Sequence, residues 1–341
     1  MVKLPPPFSD IPRKQLLFSQ PSAVEKLKRL TGSINDGVSF WIKREDCNSG
    51  LAFGGNKVRK LEYILQDAID QGADTLLTTG GLQSNHMRQT TAAAARLGLK
   101  VALLPKDAVA SDDAEYRRLG NIQLNAIMSA ETFPVGTTME DAEASIRSRG
   151  GRPYFIPSGA STHPLGGLGF ARWAFELVEQ EKSLGVRFDT IVTSVASGST
   201  LGGMVAGFKL AQKTSADSSP RRLIEIQAMT QSLEEIGDLL LSIAQTAAEK
   251  IGLKLDDITK DDFEAVGSFH AGAYGRLDDQ TSEGIKEFAR LEGILTDPVY
   301  TGKAITGLLH LAREGEFRGS KNVLFCHTGG QVALSAYPRL S

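Results

Sequence analysis

Residues 75–104 read TLLTTGGLQSNHMRQTTAAAARLGLKVALL, and this stretch decides the fold class. The apolar run 75–79 predicts a short strand, and the two glycines after it predict a turn. The alanine-rich run 85–97 predicts a helix, and residues 100–104 predict a second strand. A strand, a glycine turn, a helix and a strand in this order are typical of a parallel sheet.

The same order occurs twice more along the chain. Residues 189–195 predict a strand that leads through residues 197–199 into a helix from about Leu201. Residues 322–326 predict another strand, followed by glycines 329–330 and an apolar helix. Alternating strands and helices predict an α/β fold with parallel sheets covered by helices on both faces. Ligands in such folds lie at the carboxyl ends of the strands, where the glycine turns are.

The bulk composition limits the classes of function. The chain has 341 residues, of which 41% are hydrophobic and 23% charged, and this suits a globular protein of about two domains. A formal net charge of -2 favours neither nucleic acid nor an anionic membrane as partner. The proline-rich residues 1–27 lack the apolar core of a secretory signal. No apolar run approaches the roughly 18 residues of a membrane-spanning helix, so we expect a cytoplasmic protein.

Cysteine and histidine residues give no sign of a metal site. Cys47 and Cys326 are far apart in the chain, and the five histidines show no zinc-type spacing. We therefore expect two reduced thiols and no bound metal.

Lys57 is the first candidate for chemistry. It follows Gly54, Gly55 and Asn56 and lies at the predicted start of a helix. The positive end of a helix lowers the pKa of an amine and favours the neutral form that an imine requires. A solvated lysine beside a glycine turn is the alternative that spacing leaves open. The predicted helix has apolar residues at Val58, Leu61, Ile64, Leu65 and Ala68.

A second candidate site is the turn that contains Ser84 and Asn85. Ser84 precedes the helix predicted for residues 85–97, so its hydroxyl could cap that helix. A cap without further function is one interpretation. The functional interpretation is that Ser84 acts as a nucleophile or handles a proton, and that Asn85 donates a hydrogen bond to a phenolic oxygen.

The third candidate is the sequence ASGSTLGG at residues 196–203, between a strand and a helix. Successive backbone N–H groups and hydroxyls at a helix N-terminus can bind a phosphate. The sequence is neither a Walker loop nor a clean G-x-G-x-x-G motif. It therefore indicates an anion site, with a tight structural turn as the alternative.

Taken together, these motifs are specific. The chain resembles the family of 1-aminocyclopropane-1-carboxylate (ACC) deaminase and D-cysteine desulfhydrase, enzymes that use pyridoxal 5'-phosphate (PLP). The resemblance covers nearly the whole chain. Its markers are KREDCNSG at 43–50, GGNK at 54–57, QSNH at 83–86, PLGGLG at 164–169, LEGILTDPVYTGK at 291–303 and HTGG at 327–330.

The resemblance implies an architecture. It implies the tryptophan synthase β-like fold, PLP fold type II, with two open, twisted and mostly parallel sheets. Residues 1–64 and 167–341 would form a large PLP-binding domain. Residues 65–166 would form a smaller α/β domain, with the active site between the two. The resemblance also implies a homodimer.

The resemblance further implies roles for individual residues. Lys57 would carry PLP and move the alpha proton of a small amino-acid substrate, and Lys60 would help to hold the phosphate. The implied catalytic residues are Lys57, Ser84, Tyr274 and Tyr300. The implied cofactor contacts are Lys57, Lys60, Asn85, Ala196, Ser197, Gly198, Ser199, Thr200, Thr301 and Thr328. The implied substrate contacts are Ser84, Asn85, His86, Gly159, Tyr274 and Tyr300.

Two reactions compete within this family, and three positions distinguish them. ACC deaminases carry a glutamate where this chain has Thr301 and a leucine where it has Thr328; both threonines, and His86, look like D-cysteine desulfhydrases. A carboxylate beside the pyridine nitrogen keeps that nitrogen protonated, which strengthens the electron sink needed to open a carbon ring. A threonine hydroxyl leaves a weaker sink, which suffices for beta elimination.

We therefore expect beta elimination from D-cysteine, giving pyruvate, ammonia and hydrogen sulfide. Neutral drift at the two threonines is the alternative interpretation, and ACC deamination to 2-oxobutanoate and ammonia is the alternative activity. A different pathway-specific amino acid is a third reading, because residues 227–254 match neither branch well. A catalytically silent PLP-binding protein is the reading from another class.

Overall fold

The computed structural model describes residues 2–111 and 113–340. Within these residues the strands form two separate sheets. The strands are β1 (Val24–Lys26), β2 (Ser39–Arg44), β3 (Thr75–Gly81), β4 (Lys100–Lys106), β5 (Glu131–Thr132), β6 (Pro153–Ile156), β7 (Thr190–Val195), β8 (Arg222–Gln227), β9 (Glu264–Val266) and β10 (Asn322–His327).

The larger sheet has six strands in the order β1-β2-β10-β7-β8-β9, and the smaller has four in the order β5-β4-β3-β6. Only the pair β1–β2 is antiparallel in the part of the chain that the structure describes. The predicted α/β fold with two mostly parallel sheets is therefore confirmed.

Helices pack on the sheets and form the connections between parallel strands. Each helix that follows a strand in the predicted pattern begins at the carboxyl edge of its sheet. The α-helices are α1 (Lys28–Ile34), α2 (Asn56–Asp70), α3 (Asn85–Leu97), α4 (Asn121–Ile127), α5 (Met139–Ser148), α6 (Leu168–Leu184), α7 (Ser199–Lys213), α8 (Leu233–Lys250), α9 (Asp279–Glu292) and α10 (Thr301–Arg313).

The predicted elements agree closely with the observed ones, with one exception. Helix α3 has the predicted bounds, and β3, β4 and β10 each extend slightly beyond the predicted strands. The exception is the apolar helix expected after Gly330, where the chain forms a short 3-10 helix, Gln331–Ala336. Only Ala333 and Ala336 are buried in that segment, so it has no continuous apolar face that would extend a helix.

Helix α2 belongs to the cores of both sheets. Leu61 and Ile64 pack in the apolar cluster that contains residues of β3 and β4. Tyr63 instead packs with residues of α6 and α7 beneath the larger sheet. The strands of the smaller sheet lie within residues 75–156, but the predicted boundary at residue 64 falls inside α2, so the two sheets share a helix without a linker there. The exact domain boundaries stay a prediction.

A buried network of charges fixes α2 to the larger sheet. The Arg59 guanidinium contacts Glu45 at 2.6 Å and Glu176 at 2.8 Å. Lys43 contacts the same Glu176 carboxylate at 2.7 Å, and the Trp173 indole N–H donates to Glu45 at 2.9 Å. Burial raises the pKa of both carboxyls, but Arg59 outweighs it and leaves each pKa below its ordinary value. The network thus connects α2, the end of β2 and α6.

Replacing Arg59 by methionine tests this network. In Arg59→Met two buried carboxylates lose their main partner, so the free energy of unfolding should fall by about 3–5 kcal/mol. Urea unfolding followed by circular dichroism measures the change. Lys182→Met is the matched control, because Lys182 and Glu179 form an exposed pair on the surface of α6, and it should unfold like the unmodified protein. Equal stability of both variants would contradict the assigned role of Arg59.

Candidate active site

A pocket lies between the two sheets, at the carboxyl ends of β3, β7 and β10. Its walls come from both sheets and from the starts of four helices. Most of the residues predicted for the site meet here. The predicted residues that line the pocket are Lys57, Ser84, Asn85, His86, Gly159, Ala196, Ser197, Gly198, Thr200, Tyr274, Tyr300 and Thr328. Lys60, Ser199 and Thr301 lie behind its wall.

Lys57 is the second residue of α2, directly after the glycine turn. Burial lowers the pKa of its amine to about 8, although a hydrogen bond with Lys60 and the charge of Asp297 raise it. The low pKa expected from the sequence is therefore present. Its largest cause is burial of the amine, whereas the sequence argument attributed it to the helix end.

Two other basic groups, Lys60 and His86, lie close to Lys57. Lys60 is buried, and its amine donates to the Gly159 carbonyl oxygen at 3.4 Å. Burial and the charge of Lys57 place the pKa of Lys60 well below its ordinary value. Burial and both lysines also lower the pKa of His86, so its imidazole is neutral. An anionic ligand would relieve the repulsion within this cluster.

The start of α7 lies in the pocket, at the place where the sequence predicted an anion site. Gly198 has a φ of 90° and caps the helix, which leaves the first-turn N–H groups directed towards the pocket. The Thr200 hydroxyl accepts from the Asn56 side chain at 3.0 Å, which joins α7 to α2. A Cβ on Gly159 would lie 2.5 Å from the Ser197 hydroxyl, so only glycine permits this close approach between the two loops. The phosphate of PLP fits this arrangement.

Ser84 and Asn85 begin α3. Ser84 is the N-cap, and its hydroxyl accepts from the Met87 N–H at 3.2 Å. The capping interpretation is therefore correct, and Ser84 also lines the pocket. The side-chain oxygen of Asn85, Oδ1, accepts from Asn121 at 3.0 Å and from Arg88 at 3.4 Å. This leaves the amide N–H of Asn85 to donate to a ligand such as the ring hydroxyl of PLP.

Tyr274 and Tyr300 form another wall of the pocket. The hydroxyls of Tyr274 and Tyr300 lie 2.7 Å apart. Burial raises the pKa of both phenols, and each phenol is therefore protonated at neutral pH. The Asp297 carboxylate accepts from the Tyr300 N–H at 3.0 Å and so fixes the start of α10. The pair can donate or relay a proton across the pocket.

The two threonines that distinguish the family branches differ in position. The Thr301 hydroxyl donates to Asp297 at 2.7 Å and lies 3.2 Å from the Gly329 carbonyl oxygen. Thr301 is fully buried and is not among the residues that line the pocket. Thr328 does line it, with its hydroxyl 3.1 Å from that of Ser194. Thr328 and Ser194 thus present hydroxyls to the pocket, whereas Thr301 does not reach it.

Sequence reasoning missed several residues of the pocket. Asn56 stood within the recognised GGNK motif, and Lys106 ends β4, so both carried a positional signal. Arg88 and Asn121 act through Asn85; Arg88 lies three residues further along α3, a helical spacing that indicates the contact, whereas Asn121 is remote in the sequence. The other pocket residues not predicted are Ser158, Ser194 and Met229, together with Ala108 and the glycines 80, 81 and 329.

The fold and this pocket define a PLP-dependent enzyme of the tryptophan synthase β-like type. The family model described as "Pyridoxal-phosphate dependent enzyme" matches residues 17–329, and the chain belongs to that family.

Relatives that are named as ACC deaminases cover nearly the whole chain. The one from Burkholderia vietnamiensis is 46% identical over 338 residues, covering 96% of this chain and 97% of the relative. The one from Burkholderia cenocepacia is 46% identical over 335 residues, covering 96% of each chain. A solved structure of an ACC deaminase homologue has a TM-score of 0.83 at 32% identity and covers 99% of each chain. D-cysteine as substrate is not confirmed by these relatives, which favour the alternative activity.

Within residues 2–111 and 113–340, every helix is too short or too polar to cross a membrane.

The pKa of Lys57 predicts how cofactor attachment depends on pH. Attachment requires the neutral amine, so its rate constant should rise as pH increases from about 6, reach half its maximum near pH 8 and level off above about 9. At pH 7 a pKa of about 8 in place of 10.5 makes the neutral fraction roughly 300-fold larger. Visible absorbance after PLP is added to the apo-protein measures the rate.

Two variants control this measurement. Lys57→Ala should show no absorbance band at any pH, because it has no amine for covalent attachment. Lys209→Ala alters a lysine paired with Asp262 far from the pocket and should follow the unmodified profile. A rate that still rises steeply at pH 10 would contradict the lowered pKa.

Proposed function

We propose that this protein is a PLP-dependent lyase that converts ACC into 2-oxobutanoate and ammonia. The observation that carries the proposal is the 46% identity over 96% of the chain to a relative named as an ACC deaminase. The sequence pattern predicted D-cysteine as the leading substrate, and the identity to these relatives supports ACC instead.

The residues of the pocket support a small amino acid as substrate. The start of α3 offers first-turn N–H groups and the Ser84 hydroxyl, which suit the substrate carboxylate. The start of α7 suits the cofactor phosphate at a second helix N-terminus. Neutral His86 adds no charge beside the carboxylate. A substrate with one small carbon skeleton fits between these two anion sites.

The protein's own groups can move protons at neutral pH. Bound PLP supplies an electron sink for the bond that is broken. The Lys57 amine, with a pKa of about 8, can take up or release a proton near neutrality. The phenols of Tyr274 and Tyr300 stay protonated and can donate to a carbon or leaving group that gains charge. Asn85 donates to the ring hydroxyl and orients the ring.

D-cysteine desulfhydration is the second candidate, and the two threonines favour it. A ring nitrogen near Thr328 and Ser194 would meet hydroxyls, which do not hold it protonated as a carboxylate would. The Thr301 hydroxyl, bonded to Asp297, stands where the family resemblance implies a glutamate in ACC deaminases. A weaker electron sink suits elimination of a good leaving group.

The homodimer and the cytoplasmic location stay proposals. The homodimer follows from the family resemblance and the cytoplasmic location from the sequence pattern, and sedimentation of the purified protein would measure the oligomeric state directly.

A substrate panel decides between the two reactions. The holoenzyme should release 2-oxobutanoate from ACC at least about tenfold faster than pyruvate and sulfide from D-cysteine. The panel also contains L-cysteine, D-serine and beta-chloro-D-alanine, and the keto acid is identified by chromatography. Faster turnover of D-cysteine would replace the first candidate by the second. No turnover of any member, with a normal cofactor spectrum, would contradict both.

A double exchange tests the influence of the threonines. Thr301→Glu combined with Thr328→Leu should raise the ratio of ACC turnover to D-cysteine turnover by about tenfold, because it brings a carboxylate close to the ring nitrogen. The matched control is Thr301→Ser with Thr328→Ser, which keeps both hydroxyls and should leave the ratio unchanged. An equal ratio in both double variants would remove the argument from ring protonation.

A further inference from the structure

The loop that carries Tyr274 lacks regular structure of its own. Residues 267–278 connect β9 to α9 and contain neither helix nor strand. Ala271 has a φ of 60° and Gly275 a φ of 69°, so the backbone turns sharply on both sides of the tyrosine. Backbone ladders therefore do not set the position of Tyr274, and contacts from other elements must do so.

Lys303 provides such a contact. Its side chain is fully buried, and its amine donates to the carbonyl oxygens of His270 at 2.9 Å and Ala273 at 3.2 Å. Ala273 directly precedes Tyr274. The lysine thus holds the loop by two backbone groups immediately before the tyrosine.

The same lysine belongs to the helix that Tyr300 begins. Tyr300 is the N-cap of α10, and Lys303 lies in the first turn of that helix. The Asp297 carboxylate accepts from the backbone N–H groups of Tyr300 at 3.0 Å and Thr301 at 2.7 Å, so the helix start is rigidly held. One short, fixed segment therefore sets Tyr300 directly and reaches the loop of Tyr274 through Lys303.

Burial of the Lys303 amine costs free energy that an apolar side chain in the same place would not cost. Burial lowers the pKa of Lys303 to about 8, against the opposing charges of Asp297 and Asp278. Its acceptors are carbonyl oxygens, and no ion pair to Lys303 occurs within residues 2–111 and 113–340. Methionine has a similar length and would pack there without desolvation of a charge. We therefore infer that Lys303 serves to hold the loop through its two hydrogen bonds.

We propose that Lys303 is a positioning residue that fixes the Tyr274 hydroxyl against the Tyr300 hydroxyl at 2.7 Å. It touches neither substrate nor cofactor and acts through the loop. The catalytic consequence rests on the proposed lyase function, but the control of the loop position does not. Tyr337 holds the far side of the same loop, because its hydroxyl donates to the Gly275 carbonyl oxygen at 2.8 Å.

A double-mutant cycle on the holoenzyme tests the proposal. Lys303→Met should lower kcat about 30-fold for whichever substrate of the panel is turned over, with KM changed less than about threefold. In the Tyr274→Phe background the same exchange should lower kcat less than about twofold, because the hydroxyl it positions is already absent. The cofactor absorbance spectrum should stay unchanged. Equal losses in both backgrounds would overturn the proposal.

Hydrogen exchange supplies a readout that does not depend on activity. Amides of residues 270–276 should exchange at least about tenfold faster in Lys303→Met, while those of α9 stay unchanged. Lys209→Met is the matched control, because Lys209 bonds to Asp262 on another surface, and it should leave the loop protected. Unchanged exchange at 270–276 in Lys303→Met would also overturn the proposal.

Two further variants keep the outcome decisive. If Lys303→Met does not fold, Lys303→Gln, which retains an amide donor of shorter reach, enters the same assays and should show the same direction of change. Tyr337→Phe should speed exchange around Gly275 alone. If no substrate is turned over, the lyase proposal fails, and the exchange data alone decide the role of Lys303.

Discussion

The buried contacts of Arg59 with Glu45 and Glu176 are the constraint on which the site depends. They bind α2 to the end of β2 and to α6, and Lys57 lies two residues before Arg59. The buried Arg59 guanidinium lies between two carboxylates and cannot move without leaving one of them unpaired. The backbone that carries the Lys57 amine is therefore held in place, although the glycine turn before it is flexible. The network therefore orients Lys57 as well as stabilising the fold.

Four helix starts surround one pocket. Lys57 is in the first turn of α2, Ser84 caps α3, Gly198 caps α7 and Tyr300 caps α10. Each start presents backbone N–H groups that lack partners within their own helix. Lys57, whose pKa is about 8, adds to this positive potential when its amine is protonated. A ligand that carries a phosphate at one end and a carboxylate at the other matches such a pocket, as cofactor and amino acid do together.

Local features were predictable from the sequence, and their partners were not. Helix α3 and the loop at residues 196–200 were found because the residues that form them are neighbours in the chain. Thr301 was predicted as a ring contact because the motif contains it, but spacing cannot reveal that Asp297 already binds its hydroxyl. Arg88 donates to the Gly54 carbonyl oxygen and Lys303 to the His270 carbonyl oxygen. Both contacts join residues that are more than 25 positions apart and use a backbone acceptor, so neither produces a pattern in the sequence. The remaining features of the site depend on contacts that form only when the chain folds.

Helix α2 has a further consequence for motion. Its apolar residues pack beneath the smaller sheet, while Arg59 and Tyr63 face the larger one. The helix has no joint at the predicted domain boundary, and it begins with the residue pair Asn56-Lys57. Because Arg59 holds α2 to the larger sheet, a rotation of the smaller sheet would slide its core over the apolar face of α2 and leave Lys57 in place. Closing the cleft would then bring the start of α3 towards an amine that is already oriented, and a ligand that draws the sheets together would complete the site around a fixed reactive group.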